Sequence, residues 1–198
     1  ASARVKILSQ ATHFSESVGF PVVAKLVGPT LLHKTEVKGV ITNIQDDAQL
    51  KKAILFLETQ RQTLPEAETI ETQIQKQVGR GLEIIIGLKQ DPQFGPVLLF
   101  GAGGQLAEIL DDHQILIVPA HEQAIRKMIE NSKIYPLLRG FRGGSEYSVK
   151  KLIEVIQRFI ELSDLAPELV EIEINPLILT SAGMFAVDGK GVLQHDSE

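Results

Sequence analysis

Glu173-Ile174-Asn175-Pro176-Leu177, followed after one short turn by Val187-Asp188-Gly189-Lys190, decides how this chain is read. Val170 to Leu179 reads as a strand, so Glu173 and Asn175, two residues apart, fall on one face. A hairpin centred on Ser181-Ala182-Gly183 returns Asp188 opposite Asn175, or within two residues of it. Hard oxygen donors gathered in this way suit Mg²⁺, which takes few protein groups and leaves the rest of its shell to water and substrate phosphates. The plain alternative is a polar strand face with solvated carboxylates.

The 198 residues allow one large domain or two small ones around a sizeable apolar core. Hydrophobic residues make up 43% and charged residues 23%, the composition of an ordinary globular chain. No apolar run reaches the roughly 18–20 residues of a membrane span and no secretory signal opens the chain, so a cytoplasmic location is expected. Without cysteine there is no disulfide, thiolate nucleophile or cysteine-ligated zinc, which leaves oxygen-liganded metals. A net charge of −5 argues against a nucleic-acid partner, whose phosphates demand Lys and Arg. Ala1-Ser2 reads as a remnant foreign to the natural chain, and the whole as a piece of something longer.

Ser9 is placed to cap a helix from about Gln10 to Val18 that stops at Gly19, and Pro21 to Val27 follows as a buried strand carrying Lys25. Val40 to Ile44 is a second strand. Asp46 or Asp47 caps an amphipathic helix with Leu50, Ile54 and Leu57 on one face, ending near Gln62. Ile70 to Val78 is strand-like, with Gln73, Gln75 and Gln77 on one side. Leu82 to Gly87 and Pro96 to Phe100 pair across Lys89 to Gly95. Leu106 to Leu110 and Ile115 to Val118 read as a further hairpin, and helices cover His121 to Asn131 and Tyr147 to Ser163. Helices and hairpins in this order imply α+β architecture in two lobes, 1–72 and 73–198.

Pro21-Val22-Val23-Ala24-Lys25, Leu32-His33-Lys34, Glu83-Ile84-Ile85-Ile86-Gly87, Asp91 to Val97, Phe100-Gly101-Ala102-Gly103-Gly104 and Leu138 to Gly143 precede the acidic cluster in one order. Together they resemble the ATP-grasp domain of ADP-forming (NDP-forming) acetyl-CoA and acyl-CoA synthetases, the counterpart of that family's β subunit. The cluster is also similar, more distantly, to the β subunit of succinyl-CoA synthetase. The resemblance runs from about Ser9 to Leu193.

It implies a two-lobed ATP-grasp fold holding ATP or ADP with Mg²⁺, and phosphoryl transfer through phosphohistidines and an acyl phosphate. By the same likeness Lys25 contacts the nucleotide phosphates, Gln75 meets the adenine, and Glu83 is a nucleotide-site carboxylate. Asn175 and Asp188 match Mg²⁺ ligands, with Glu173 alongside. A lysine on a buried strand needs an anionic partner in any case, and a structural salt bridge to Glu83 is the competing reading. His33 would receive a phosphoryl group from a phosphohistidine of the partner and hand it to ADP, a role that suits neutral imidazole. Asp188 would also orient phosphorylated His33. The remaining histidines, His13, His113, His121 and His195, match nothing and read as surface residues.

Gly101-Ala102-Gly103-Gly104 fails the dinucleotide fingerprint at Leu106 and reads as a tight turn or a phosphate-facing loop. Arg139 and Arg142 face an anion, the missing partner or solvent. The chain departs from the family in having Lys38-Gly39 where two glycines are usual, and Asp188-Gly189-Lys190 where Asp-Ala-Arg is more common among the acetyl enzymes. The function expected is nucleotide binding and phosphoryl transfer in an ADP-forming, acid-thiol ligase that also needs CoA-binding and ligase domains or an α subunit. A homodimer or heterotetramer is expected by resemblance alone. The competing function is a ligand-sensing, non-catalytic domain of a protein-lysine acetyltransferase fusion.

Overall fold

The structure, a computed structural model, describes residues 1–29, 31 and 37–194. It divides into two compact units, Ala1–Gln77 and Val78–Glu198. The expected boundary at 72/73 falls inside strand β4, Glu71–Lys76, which belongs wholly to the first unit's sheet.

In the first unit, β1 (Ser2–Val5), β2 (Val22–Val27), β3 (Val40–Ile44) and β4 form a sheet in the order β1-β4-β2-β3, with every pairing antiparallel. Helices α1 (Leu8–Val18) and α2 (Asp47–Gln62), with Ile70 just before β4, supply the rest of the core. Strand alternation sends the fully buried Val22, Ala24 and Leu26 toward Ala11, Leu50 and Leu57. Asp46 caps α2 by accepting the Gln49 N–H at 2.8 Å. Ser9 does not cap α1; the N-cap is Ile7, which makes no side-chain cap bond, and Gly19 at φ 72 ends the helix. Ser-Ala-Arg-Val carries no strand signal of its own, and β1 forms because the edge of β4 is there to pair with.

In the second unit, β5 (Leu82–Asp91), β6 (Gly95–Ala102), β7 (His113–Ile117), β8 (Leu169–Thr180), β9 (Gly183–Ala186) and β10 (Gly189–Leu193) make a sheet ordered β10-β8-β5-β6-β7, with β9 also on β8. One face carries Ile84, Ile86, Leu98 and Phe100 against α4 (Glu122–Asn131) and α6 (Val149–Ile160), through Ile125, Ile129, Leu152 and Ile156. Leu106 to Leu110 is not a strand; α3 (Gln105–Leu110) is a short helix whose Leu106 and Leu110 pack on this core. Short helices α5 (Tyr135–Leu138) and α7 (Leu162–Leu165) complete the unit. Among the described residues no helix is long and apolar enough to cross a membrane.

The β5–β6 turn is built by one side chain. Asp91 Oδ1 accepts the backbone N–H groups of Gln93 and Phe94, each at 2.9 Å, and these bonds hold its carboxyl below the ordinary value of 3.8. A carboxyl with a depressed folded value contributes stability above its unfolded value and loses it as pH falls through the folded one. Asp91→Ala is therefore expected to lower Tm at neutral pH, with the gap to wild type closing below about pH 3.8. Melting both proteins across the acid range checks this; a gap independent of pH would contradict it.

Candidate active site

The acidic hairpin has the register expected of it. Residues Ser181 and Ala182 form its turn, and pairing runs from Thr180↔Gly183 through Leu177↔Ala186 and Ile174↔Gly189 to Glu171↔Val192. Between these strands the Asn175 N–H donates to the Asp188 carbonyl at 3.0 Å, and the Val187 N–H to the Pro176 carbonyl at 3.1 Å. Asn175 and Asp188 are thus direct neighbours across the hairpin.

Strict alternation along β8 does not hold at this point. Ile84 pairs with Leu177 and Ile86 with Ile174, so β8 carries one extra residue against β5 at Asn175-Pro176. Proline is tolerated there because a bulge asks for no ladder N–H. The bulge re-aims Asn175, whose Oδ1 accepts the Gly104 N–H at 3.2 Å. Gly104 stands just past β6, and the space that a Cβ on it would fill is taken by the Glu83 carboxylate. Glu83 on β5 and Asn175 on β8 therefore converge on one residue of the Gly101-Ala102-Gly103-Gly104 turn. The Gly103 N–H donates to the Glu83 carbonyl at 3.0 Å and fixes that turn to β5.

Glu173 is differently engaged. It pairs across the hairpin with Lys190, whose Nζ lies 3.2 Å from Glu173 Oε1, and its side chain is only 22% exposed. Among the described residues no group of three or more His, Cys, Asp or Glu is arranged to hold a metal. Asn175 and Asp188 nevertheless fit Mg²⁺, which needs only one or two protein oxygens when phosphates supply others. The Asn175 Oδ1 keeps a second lone pair beyond the one that Gly104 uses.

In the first unit, Lys25 lies on β2 at 6% exposure, on the face opposite Ala24 and Leu26, and is engaged by at least one neighbour. Its cross-strand partners are Gln73 on β4 and Val40 on β3. Gln75 pairs with Val23 and Ser2, and shares the face of Lys25 and its partner Gln73, because Ile74 between the two glutamines points into the core with Ala24. Gln77 serves the fold, since its Oε1 accepts the Asn43 N–H at 2.6 Å, at a residue whose φ is 59.

His33 lies outside the described residues, as does His195. Lys38, where the family resemblance expects glycine, has φ 52 and so keeps the left-handed backbone that glycine favours. In the basic loop, Arg139 is tied to Glu146 at 3.1 Å, and the Arg142 guanidinium lies 5.2 Å from the centroid of the Phe141 ring. Two contacts escaped the sequence. The Lys190–Glu173 pair follows from the hairpin register once Asn175 is set against Asp188. Gly104 has no local signal, because both of its partners are distant in the chain.

Comparison with known proteins bears on this arrangement. The family model described as an ATP-grasp domain matches residues 2–193. The chain is 35% identical over 185 residues to the acetate–CoA ligase (ADP-forming) I subunit beta of Pyrococcus furiosus, covering 93% of this chain and 80% of that subunit. A solved acetyl-coenzyme A synthetase 1 of Ca. Korarchaeum cryptofilum, in complex with coenzyme A, Ca-AMPCP and HgCl⁺, superposes with a TM-score of 0.91 at 33% identity, covering 98% of this chain and 85% of that one. The same enzyme with coenzyme A and Mg-AMPPCP, its phosphohistidine segment pointing towards the nucleotide-binding site, superposes at 0.80, with 33% identity over 95% of this chain and 83% of that one. The α+β fold, the hairpin and these matches together make the chain a member of the ATP-grasp domain family, with homologues among the β subunits of ADP-forming acetyl-CoA synthetases.

Proposed function

We propose that this chain binds ADP or ATP with Mg²⁺ and moves a phosphoryl group between the nucleotide and His33, as the ATP-grasp part of an ADP-forming acyl-CoA synthetase. The convergence of Glu83 and Asn175 on Gly104, with Asp188 beside Asn175, is the observation that carries the reading. These groups lie far apart in sequence, and a chain with no use for them has little reason to gather them.

In this reading Lys25 serves the phosphates, Gln75 the adenine, and Glu83 is a further nucleotide contact. Asn175 and Asp188 would hold Mg²⁺, with Glu173 at the edge of the set while Lys190 engages it. The metal would neutralise phosphate charge during transfer. His33 Nε2 or Nδ1 carries the phosphoryl group; its N–P bond breaks as a terminal phosphate oxygen of ADP forms the new P–O bond, and the imidazole regains its lone pair. In the complete enzyme acyl-CoA, ADP and phosphate give carboxylate, CoA and ATP, with acetyl-CoA as the acyl donor. The acyl steps fall to CoA-binding and ligase domains or an α subunit, as the separate beta subunit of the Pyrococcus relative suggests. The location that goes with this reading is the cytoplasm, where the nucleotide pool is.

Titrating ADP into the purified chain by calorimetry tests the proposal. Binding that Mg²⁺ tightens at least about tenfold is expected, with no turnover of acyl-CoA by the chain alone. Absence of binding in either condition would reject it.

A further inference from the structure

We infer that Gly104 is a positioning residue of this site: its N–H fixes the side-chain amide of Asn175, and its bare Cα seats the carboxylate of Glu83. The inference rests on the function proposed above for those two residues. Gly104 has φ 54 and ψ −138, a backbone conformation that is strained for any residue with a Cβ. Its conformation aims the N–H at Asn175 Oδ1, 3.2 Å away. An L side chain at this position would place its Cβ on Glu83 Oε2 and 2.8 Å from Glu83 Cδ. Glycine is thus required twice here, once by the backbone and once by the neighbour.

The residue before it makes the placement rigid. Gly103 donates to the Glu83 carbonyl at 3.0 Å, and a Cβ on Gly103 would come 2.5–2.6 Å from the Ile84 carbonyl carbon and oxygen. The turn is therefore pressed onto β5 at Glu83-Ile84 and bonded to β8 at Asn175. An asparagine amide has an acceptor end and a donor end, and a bond from Gly104 settles which end is which. With Oδ1 held by the N–H, its remaining lone pair keeps a fixed direction, as outer-shell donors do for metal-facing groups. Gly104 touches no reacting atom; it acts through Asn175 and Glu83.

Two measurements on the whole chain test this. In Gly104→Ala ADP should bind more weakly without Mg²⁺, because the new Cβ displaces Glu83, and the tightening by Mg²⁺ should fall by about a further tenfold through Asn175, while the circular dichroism spectrum stays close to wild type. A purely structural role would weaken binding equally with and without the metal, and that result would overturn the inference. Amide hydrogen exchange supplies a readout that does not depend on nucleotide or on folding of Gly104→Ala. The Gly104 N–H should exchange about tenfold faster in Asn175→Ala and regain protection in Asn175→Asp, with Gly103 unchanged as control. Equal Gly104 exchange in wild type and Asn175→Ala would also overturn it. A wild-type chain that binds no nucleotide, yet shows this exchange pattern, would reject the proposed function and leave the positioning contact standing.

Discussion

Asp188→Ala is expected to abolish the Mg²⁺-dependent part of ADP affinity, a loss of at least about tenfold, while the hairpin that carries it stays formed. The ladder of the hairpin is made by its backbone. It is closed by the two-residue turn at Ser181-Ala182 and by backbone bonds, including the Asn175 N–H to the Asp188 carbonyl at 3.0 Å, which alanine retains. What the substitution deletes is one of the two carboxylates in the proposed metal-facing set. Of the other two members, Asn175 is neutral, and Glu173 is already engaged by Lys190 at 3.2 Å. Asp188, itself engaged in the fold, is the carboxylate that stands directly beside Asn175, and charge neutralisation would chiefly rest on it. Calorimetric titration of ADP at saturating and zero Mg²⁺ separates the effects: metal-free affinity should hold and the metal enhancement should vanish. Glu173→Gln should lose much less. An unchanged enhancement in Asp188→Ala would remove Asp188 from the metal site.

The extent to which the chain is legible follows from how far each decision reaches in sequence. The Asn175–Asp188 juxtaposition could be read because a short turn and a constant pairing register fix it locally, and the same arithmetic contained Lys190 against Glu173. Gln73, Gln75 and Gln77 could be placed on one side by their period of two, whereas the face of Lys25 is hidden in the continuous apolar run Pro21 to Val27 and shows only in the burial of Val22, Ala24 and Leu26. Leu106 to Leu110 was open to misreading, since a short apolar run fits a buried strand or a buried helix equally; Leu106, Ile109 and Leu110 in fact carry the three-and-four spacing of α3. Nothing in Ser2 to Val5 predicts a strand, because its only cause is the edge of β4. The bulge at Asn175-Pro176 and the seat of Glu83 against Gly104 are tertiary in origin, and no window of sequence contains both sides of either contact. His33 came from family resemblance alone.

Lys25→Met is expected to weaken Mg-ADP binding per folded molecule by about 2–5 kcal/mol, at least ~30-fold, the range found when one member of a buried charged contact is truncated. Met keeps the length and apolar stem that β2 needs, between neighbours that are themselves buried at Ala24 and Leu26. It removes the ammonium of a residue that is engaged in the fold at 6% exposure. Some loss of stability is accordingly expected as well, since its neighbour is left without the charge. The two consequences separate experimentally. A lysine with only a structural role would lower Tm, and the molecules that remain folded would bind Mg-ADP as wild type does. A lysine that serves the phosphates would lower affinity at a temperature where both proteins are fully folded, and would do so more for ATP than for ADP because one more anionic group is lost to it. Calorimetry at about 10–15 °C below the variant's melting midpoint decides the matter. Wild-type affinity there would assign Lys25 to the fold and leave the nucleotide to other groups.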